Sequence, residues 1–339
     1  MLLPHRSLLP YNTFGLDVQA EYFAEARTAD DLRHILRQAP KPWLILGGGS
    51  NIVFARDVPG TVIKNSLRGI HPAGESADTL RLKVGAGEVW HHLVQHCVAN
   101  DLGGLENLSL IPGTVGAAPI QNIGAYGVEL KDSLVEVEAL DLDDLDAPLR
   151  TFSREDCRFG YRDSIFKREA KGRYCITAVT FALSRSGHHR LNTSYGDIQR
   201  TLADMQVQSP SIADISRAVV RIRSSKLPDP AVLGNCGSFF KNPEVERSVL
   251  ERVQSTHPQA PHYDLPDGRV KIPAGWLIEQ CGWKGKRMGN VGSYEKQALV
   301  LVNHGGATGD EVWALAQAIM NSVAARFGIQ LEPEVNVYR

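Results

Sequence analysis

Two short stretches carry side chains whose types could act on an anionic carbon or oxygen. Arg162 stands between aromatic residues in FGYRDSIFK, residues 159–167, and its planar guanidinium suits a carboxylate or an enolate. Ser238 in GNCGSFFKNP, residues 234–243, is not a nucleophile elbow, because Phe240 takes the place of the second glycine in G-x-S-x-G. A serine hydroxyl is a weak acid, so Ser238 could protonate only a strongly basic carbanion or enolate formed beside it.

These side chains, and two glutamates near the C-terminus, also have ordinary structural explanations. Arg162 could be a surface arginine paired with the aspartate that follows it, and Ser238 could cap a turn. Glu332 and Glu334 in IQLEPEVNV share one face if that strand alternates regularly through the proline between them. Both carboxylates could simply belong to a solvated strand edge.

The stretch LGGGSN, residues 46–51, predicts a tight turn from which side chains are excluded. Glycine reaches positive φ at little cost, and successive N–H groups in such a turn can form a nest for an anion. Ile52 stands where a dinucleotide fingerprint needs its third glycine, and no Walker lysine follows. The turn is therefore either a strained connection between strands or a phosphate cradle. The cradle would consist of Gly47, Gly48, Gly49, Ser50 and Asn51.

A second stretch, IPGTVGAAPIQNIGAYG at residues 111–127, contains no charged side chain. It is either an irregular crossing of backbones or a wall against which a planar, phosphate-bearing ligand lies. Two such stretches favour the ligand, and a large dinucleotide such as FAD needs many backbone contacts and few charges. The predicted cofactor contacts are Ile111, Pro112, Gly113, Thr114, Gly116, Ala117, Gln121, Asn122, Gly124, Ala125, Tyr126 and Gly127.

Other candidate ligand groups are weaker. His92 and His96 are four residues apart on a predicted helix, but no third ligand accompanies them, so no metal site is predicted. Arg221, Arg223 and Lys226 near the end of a predicted helix suit its dipole and could also bind a diphosphate.

The composition is that of an ordinary soluble globular protein. The chain has 339 residues, 43% of them hydrophobic, and a formal net charge of -1. A protein that binds nucleic acid by neutralising phosphates is normally more basic, and no apolar run has the length of a membrane span. The N-terminus lacks a signal-peptide core. Five scattered cysteines without a CxxC indicate reduced thiols in a cytoplasmic protein.

Hydrophobic periodicity predicts the elements that must position these residues. Helices are predicted over residues 28–38, 88–100, 209–226, 243–254 and 308–327, with capping boxes at Thr28 and Thr308. Strands are predicted at 43–46, 52–54, 61–63, 80–84 and 297–303, and an extended segment at 329–338. The strands within residues 133–183 are separated by turns and polar loops, which favours an α+β fold over repeated βαβ units.

The motifs, taken in order, resemble one enzyme family. The series LGGGSN, IPGTVGAAPIQNIGAYG, GYRDSIFK, KLPDP, GNCGSFFKNP, QALVLVN and LEPEV is similar to that of the UDP-N-acetylenolpyruvoylglucosamine reductases, also called UDP-N-acetylmuramate dehydrogenases. The similarity covers about residues 10–336. TSYGDI at residues 193–198 indicates the longer subtype, in which a tyrosine loop covers the substrate.

The resemblance implies an α+β fold with a two-part FAD-binding domain of the vanillyl-alcohol-oxidase type and a smaller α+β substrate-binding domain. The first FAD-binding part would be residues 1–66 with the C-terminal strand 328–339, and the second part residues 67–208. The substrate-binding domain would be residues 209–327. A cytoplasmic monomer without nucleic-acid or membrane partners is expected.

The implied reaction is the second committed step toward peptidoglycan. NADPH gives hydride to FAD, and UDP-N-acetylglucosamine enolpyruvate then takes hydride at its methylene carbon. The resemblance matches Ser238 with the proton donor, and Arg162 and Glu334 with the groups that stabilise the intermediate, Glu332 being the alternative to Glu334. Its implied substrate contacts are Tyr195, Arg223, Lys226, Asn242, Lys284 and Gln297.

Two competing hypotheses stay open at this point. One is an FAD-dependent alcohol oxidase of the same fold, which the absence of histidine or cysteine from the glycine stretches disfavours, because neither residue is there to tether flavin. The other is a nucleotide-binding sensor without catalysis, which the presence of Arg162, Ser238 and Glu334 disfavours.

Overall fold

The computed structural model describes residues 1–339, which divide into two compact units. Unit 1 comprises Met1–Arg6, Ala20–Gly49 and Val58–Ser225. Unit 2 comprises Ser7–Gln19, Ser50–Asp57 and Lys226–Arg339. The chain therefore passes from unit 1 to unit 2 inside the first glycine turn.

Groups of consecutive strands are separated by one or two α-helices along the chain, without a repeating unit. The strands are β1 (Leu3–Ser7), β2 (Gln19–Ala26), β3 (Trp43–Leu46), β4 (Ile52–Phe54), β5 (Val58–Asn65), β6 (Ile70–Glu75), β7 (Thr79–Gly85), β8 (Gly124–Ala125), β9 (Val128–Glu129), β10 (Leu134–Asp141), β11 (Arg150–Ser153), β12 (Tyr174–Ser184), β13 (Gly234–Ser238), β14 (Glu244–Val245), β15 (Tyr263–Asp264), β16 (Val270–Lys271), β17 (Arg287–Met288), β18 (Val291–Ser293), β19 (Val300–Asn303) and β20 (Asn336–Tyr338). The α-helices are α1 (Ala29–Gln38), α2 (Trp90–Ala99), α3 (Gly196–Asp204), α4 (Ile212–Lys226), α5 (Arg247–Gln254), α6 (Ala274–Gln280) and α7 (Gly309–Phe327). Short 3₁₀ helices span Leu9–Tyr11, Glu106–Leu108, Val115–Gln121, Leu130–Asp132 and Ile165–Lys167.

The first sheet of unit 1 has the strand order β1-β2-β5-β3, and β5 pairs in parallel with both β2 and β3. Helix α1 begins at a capping box between Thr28 and Asp31, and it buries Leu32, Ile35 and Leu36 in the core that includes residues of β2 and β5. Because parallel strands end at the same edge of a sheet, the glycine turn after β3 lies beside the end of β5.

The second sheet of unit 1 is antiparallel, with the order β11-β10-β12-β7-β6. Trp90, Leu93 and Cys97 of α2 share its core, and so do Val115 and Ala118 of the second glycine stretch. These two apolar side chains explain how a stretch of small residues is fixed, since they anchor it in the core while its glycines stay available.

Helices α3 and α4 pack on each other in unit 1 through apolar side chains that include Ile198, Leu202, Val219 and Ile222. Tyr126 packs against this pair, so the second glycine stretch also contacts the helices that follow the predicted tyrosine loop.

Unit 2 is built around the sheet β13-β19-β18-β17, with α6 and α7 in the same core, and β20 pairs in parallel with β4. Helix α7 begins at the predicted capping box of Thr308 and Glu311 and buries the predicted apolar face. A Cβ on Gly309 would lie 2.0 Å from the Phe54 carbonyl oxygen, so this helix can begin against β4 only with glycine at that position.

Most predicted elements are confirmed, and the main differences lie in unit 2. The helix predicted over 243–254 begins at Arg247, because Glu244–Val245 form a strand paired with β16. The extended segment 329–338 is regular only at Asn336–Tyr338. Helix α6 is not among the predicted helices.

The cysteines are all unpaired, as predicted, and four of the five are buried. Measured by length and apolar character, no helix meets the requirements for crossing a membrane.

Candidate active site

The two glycine-rich stretches meet in unit 1. A Cβ on Gly48 would lie 2.7 Å from the Gly113 Cα, and a Cβ on Gly47 would lie 2.7 Å from the Thr114 Oγ1. Any other residue at Gly48 would force the two backbones apart, so only glycine at this position permits the contact. We call it the glycine seam, and we call residues 111–127 the wall.

The glycine seam presents backbone donors that the protein itself does not use. The N–H groups of Gly48, Gly113 and Thr114 have no acceptor in the chain, whereas the Gly113 carbonyl accepts a bond of 3.0 Å from Trp90. Gly113 has a φ of 113°, which an L side chain rarely adopts. Unpaired N–H groups on a surface without side chains fit a phosphate anion, so these residues fit the pyrophosphate of a dinucleotide.

Lys64 supports the first glycine turn from β5, and the sequence interpretation did not include it. Its ammonium group donates to the Gly47 carbonyl. Burial lowers the pKa of Lys64; the nearby Glu25 opposes this effect and Arg68 adds to it. The sequence feature that could have indicated this role of Lys64 is its position as a lysine within the apolar strand TVIKN.

The predicted catalytic Arg162 lies in a loop that is fastened to the wall. Its Nη2 donates to the Gly124 carbonyl at 2.6 Å, and its φ of 52° places it in the left-handed region. The buried Asn122 donates to the Gly160 carbonyl at 3.1 Å. The hydroxyl of Ser164 donates to the main chain of the wall at 2.7 Å. These bonds hold the guanidinium in place independently of any ligand.

Tyr126 of the wall contacts two predicted substrate residues. Its ring meets that of Tyr195 edge to face, with centroids 5.4 Å apart. Arg223 lies beside the Tyr126 hydroxyl, and its Nε donates to the Leu110 carbonyl at 3.3 Å. Burial lowers the pKa of Arg223 and Tyr126 opposes that effect. The guanidinium and both aromatic rings thus belong to one connected group in unit 1.

Leu110, directly before the wall, has a φ of 59° and is held from both sides. Its N–H donates to His91 Nδ1 at 2.9 Å, and its carbonyl accepts from Arg223. Burial lowers the pKa of His91, and nearby His92 and Arg223 add to the effect. The neutral ring is favoured, and only the neutral ring can accept this bond.

In unit 2, Ser238 and Glu334 lie on neighbouring segments of main chain. The Glu334 N–H donates to the Phe239 carbonyl at 2.8 Å. Ser238 is exposed between the half-buried Gly237 and the buried Phe239, and Glu334 is half-buried. Burial raises the pKa of the Cys236 thiol and the Glu334 carboxylate adds to that effect, which places this carboxylate close to β13.

Glu332 and Glu334 have different surroundings. The Glu332 side chain is 76% exposed, and its carboxylate lies 3.8 Å from the Lys241 ammonium. The intervening Pro333 forms an antiparallel bridge with Phe240. Between these two glutamates, the half-buried Glu334 is the better placed for chemistry near Ser238.

The other predicted substrate residues are distributed over unit 2. Asn242 accepts the first N–H of α6 at 2.9 Å, and the Gln297 Oε1 lies 2.8 Å from a Cβ built on Gly275 of the same helix. Lys284 is exposed and pairs with Glu279 at 3.0 Å. Lys226 is the last residue of α4. Asn242 and Gln297 therefore come together at α6, whereas Lys284 lies on a separate loop.

Two family models match the chain. One, described as an FAD binding domain, matches residues 20–144, and the other, described as the C-terminal domain of UDP-N-acetylenolpyruvoylglucosamine reductase, matches residues 229–338. A reductase of that name from Chromobacterium violaceum is 54% identical over 96% of each chain, and one from Pseudomonas aeruginosa is 51% identical over 99% of each. The chain belongs to the UDP-N-acetylenolpyruvoylglucosamine reductase family.

A solved reductase of this family, from Thermus caldophilus, has a TM-score of 0.69 and 25% identity, covering 100% of this chain and 98% of its own. Membership in the reductase family confirms the predicted α+β fold with an FAD-binding domain. It also confirms FAD as the cofactor and an FAD-dependent oxidoreductase as the class of enzyme.

Proposed function

We propose that the chain reduces UDP-N-acetylglucosamine enolpyruvate to UDP-N-acetylmuramate, with NADPH as the hydride donor and FAD as the bound cofactor. The observation that carries the proposal is the glycine seam, where Gly48 and Gly113 pack without side chains and leave N–H donors unused. Relatives of about the same length that carry this reductase name support the choice of substrate.

The glycine seam would hold the cofactor through its pyrophosphate. FAD, when bound, accepts hydride from NADPH and supplies hydride to the methylene carbon of the enolpyruvyl group. The N–H groups of Gly48, Gly113 and Thr114 would bind the pyrophosphate oxygens. The remaining proposed contacts are Gly47, Gly49, Ser50, Asn51, Ile111, Pro112, Gly116, Ala117, Gln121, Asn122, Gly124, Ala125, Tyr126 and Gly127.

After hydride addition, two side chains stabilise the negative charge of the intermediate and a third donates the proton. Addition at the methylene carbon leaves negative charge on the carbon next to the substrate carboxylate. The Arg162 guanidinium stabilises this enolate by charge-assisted hydrogen bonds, and Glu334 stabilises it as a protonated or water-linked donor. Ser238 donates its proton to the carbon and regains one from solvent, so NADPH and one proton are consumed for each product.

The proposed substrate contacts follow from the same assignment. Tyr195 would cover the substrate, and cationic and amide groups would bind its carboxylate and diphosphate. The residues in this set are Tyr195, Arg223, Lys226, Asn242, Lys284 and Gln297. A cytoplasmic monomer, and domains at residues 1–66 with 328–339, 67–208 and 209–327, complete the proposal.

The replacement Ser238→Ala tests the proposed reaction and the role of Ser238 as its proton donor together. We expect flavin reduction by NADPH to stay within about twofold of the wild-type rate, while flavin reoxidation by the sugar nucleotide falls by about 10²- to 10⁴-fold. Stopped-flow spectroscopy of the two half-reactions measures both rates.

The matched control is Ser248→Ala, an exposed serine on α5 that should leave both rates unchanged. Full-rate reoxidation in Ser238→Ala would remove Ser238 from the mechanism. A wild-type protein whose flavin the sugar nucleotide fails to reoxidise would contradict the proposed function itself.

A further inference from the structure

A buried amide joins the wall to the segment that precedes Tyr195. Asn107 is 1% exposed and lies in the 3₁₀ helix Glu106–Leu108. Its Nδ2 donates to the Tyr126 carbonyl at 3.1 Å and to the Asn192 carbonyl at 2.9 Å. An amide nitrogen has two protons, so Asn107 donates one hydrogen bond to each segment.

Asn192 adds a second bond in the opposite direction. Its Nδ2 donates to the Gly127 carbonyl at 3.0 Å, and its Oδ1 accepts from the Ser194 hydroxyl at 2.8 Å. A Cβ on Gly127 would lie 3.1 Å from this Nδ2, so the side chain packs directly on the glycine. The wall and the segment are thus linked through both main chains.

The geometry of these bonds bears on Tyr195, three residues after Asn192. The Tyr195 ring meets the Tyr126 ring edge to face, and the Tyr126 carbonyl is the one that Asn107 binds. Tyr126 has a φ of 50°, a conformation that costs free energy and persists only where neighbouring contacts hold it. The bonds of Asn107 and Asn192 therefore fix the main chain on both sides of the aromatic pair.

The start of the same segment is held by a separate group. His189 contacts the Ser184 hydroxyl through Nδ1 at 2.8 Å and the Asp101 carboxylate through Nε2 at 3.0 Å. Because this tether lies before Asn192, loss of the amide bonds would release only the part of the segment that carries Tyr195.

We propose that Asn107 and Asn192 are positioning residues that set Tyr195 against Tyr126 for binding of the UDP-sugar. The inference rests on the proposed function, in which Tyr195 contacts the substrate. Both amides act through the main chain of the wall and of the tyrosine segment, and neither belongs to the glycine seam. We call the hydrogen bonds that Asn107 and Asn192 make to these two main chains the clamp. Weakening the clamp should therefore change sugar-nucleotide binding more than flavin reduction.

The variant Asn192→Asp tests the clamp with little change of shape. It replaces the donor to Gly127 by a carboxylate oxygen that faces the same carbonyl. We expect the KM for the sugar nucleotide to rise about tenfold, with kcat and the rate of flavin reduction by NADPH within about twofold of wild type. Amide hydrogen exchange over residues 190–196 should become about tenfold faster.

Asn100→Asp is the matched control, since Asn100 also donates from its side chain to a carbonyl, that of His96 at 2.8 Å, at the exposed end of α2. It should leave KM and exchange at residues 190–196 unchanged. Asn107→Asp, measured by the same two methods, should show the same direction of change as Asn192→Asp.

Hydrogen exchange separates the clamp from the proposed function, because it needs no turnover. Unchanged exchange over residues 190–196 in Asn192→Asp would overturn the clamp, whatever the enzyme reduces. Faster exchange with an unchanged KM would overturn the positioning role. A wild-type protein that does not turn over the sugar nucleotide would overturn the proposed function and the substrate role with it, while the exchange data would still report on the clamp.

Discussion

The glycine seam of unit 1 and the Ser238 region of unit 2 present their functional groups by opposite means. At the glycine seam the groups belong to the main chain, and Gly48 approaches the Gly113 Cα so closely that a Cβ would collide. In the Ser238 region the main chain forms ordinary pairing, with Glu334 bonded to Phe239 at 2.8 Å, and the chemistry belongs to side chains.

Because of this difference, substitutions in the two regions should impair the protein in different ways. A substitution at the glycine seam moves the backbone, so it should remove the cofactor and weaken the fold together. A substitution of Ser238 or Glu334 leaves the backbone pairing intact, so it should keep the cofactor and remove one chemical step.

The largest effect is expected from Gly48→Ala. The new Cβ would lie 2.7 Å from a backbone carbon, so the two stretches must separate, and flavin should be largely absent from the purified protein. We expect the free energy of unfolding to fall by about 1–3 kcal/mol. The flavin-to-protein absorbance ratio and thermal unfolding measure the two effects.

Gly196→Ala is the control for Gly48→Ala, because no atom lies within 4 Å of its Cβ and the residue begins α3. It should keep the wild-type flavin content. A Gly48→Ala protein with a full complement of FAD would show that the glycine seam can open without cost, and the contrast between the two regions would fail.

The variants Glu334→Gln and Glu332→Gln compare the roles of the two glutamates of unit 2. Loss of the Glu334 carboxyl should slow flavin reoxidation by about 10²-fold, which corresponds to about 2.7 kcal/mol of transition-state stabilisation, with FAD still bound. Glu332 is 76% exposed, so its replacement should change the rate by less than about twofold. Single-turnover reoxidation measures both, and a larger effect at Glu332 would reverse the assignment.

Local signals in the sequence predicted much of this arrangement. Capping boxes at Thr28 and Thr308 mark true helix starts, because the cap and its partner are three residues apart. The same kind of local signal leaves each glycine stretch as either a structural turn or a ligand-binding loop, and the presence of two such stretches favours a ligand. The sequence does not predict that the two stretches meet through Gly48 and Gly113.

Contacts between distant segments could not be predicted in this way. Asn107 and Asn192 are separated by 85 residues, and neither stands in a motif. Lys64 binds Gly47 only because β3 and β5 pair in parallel. The helix predicted from residue 243 begins later for the same reason, since β14 pairs with a strand that comes after α5. Periodicity reports on local preference and carries no information about such partners.

The smallest predicted effect concerns the support of the wall by His91 and its dependence on pH. Burial holds the pKa of His91 below its ordinary value of 6.5, so near and below that pH the folded protein binds fewer protons than the unfolded chain. The stability that the neutral ring contributes is therefore complete above pH 6.5 and is lost as the pH falls toward the lower, folded-state pKa.

His91→Asn should flatten this dependence, because the asparagine oxygen can accept from Leu110 near the position of Nδ1 and does not titrate. Between about pH 7.5 and pH 5.5 we expect the wild-type Tm to fall by about 1–2 °C more than that of the variant, a small difference because the ring is partly exposed. His34→Asn, an exposed change on α1, should keep the wild-type slope. If His91→Asn also keeps that slope, the ring does not support the wall, which then depends on the glycine seam, the core side chains and the hydrogen bonds of Arg162, Ser164 and Asn107.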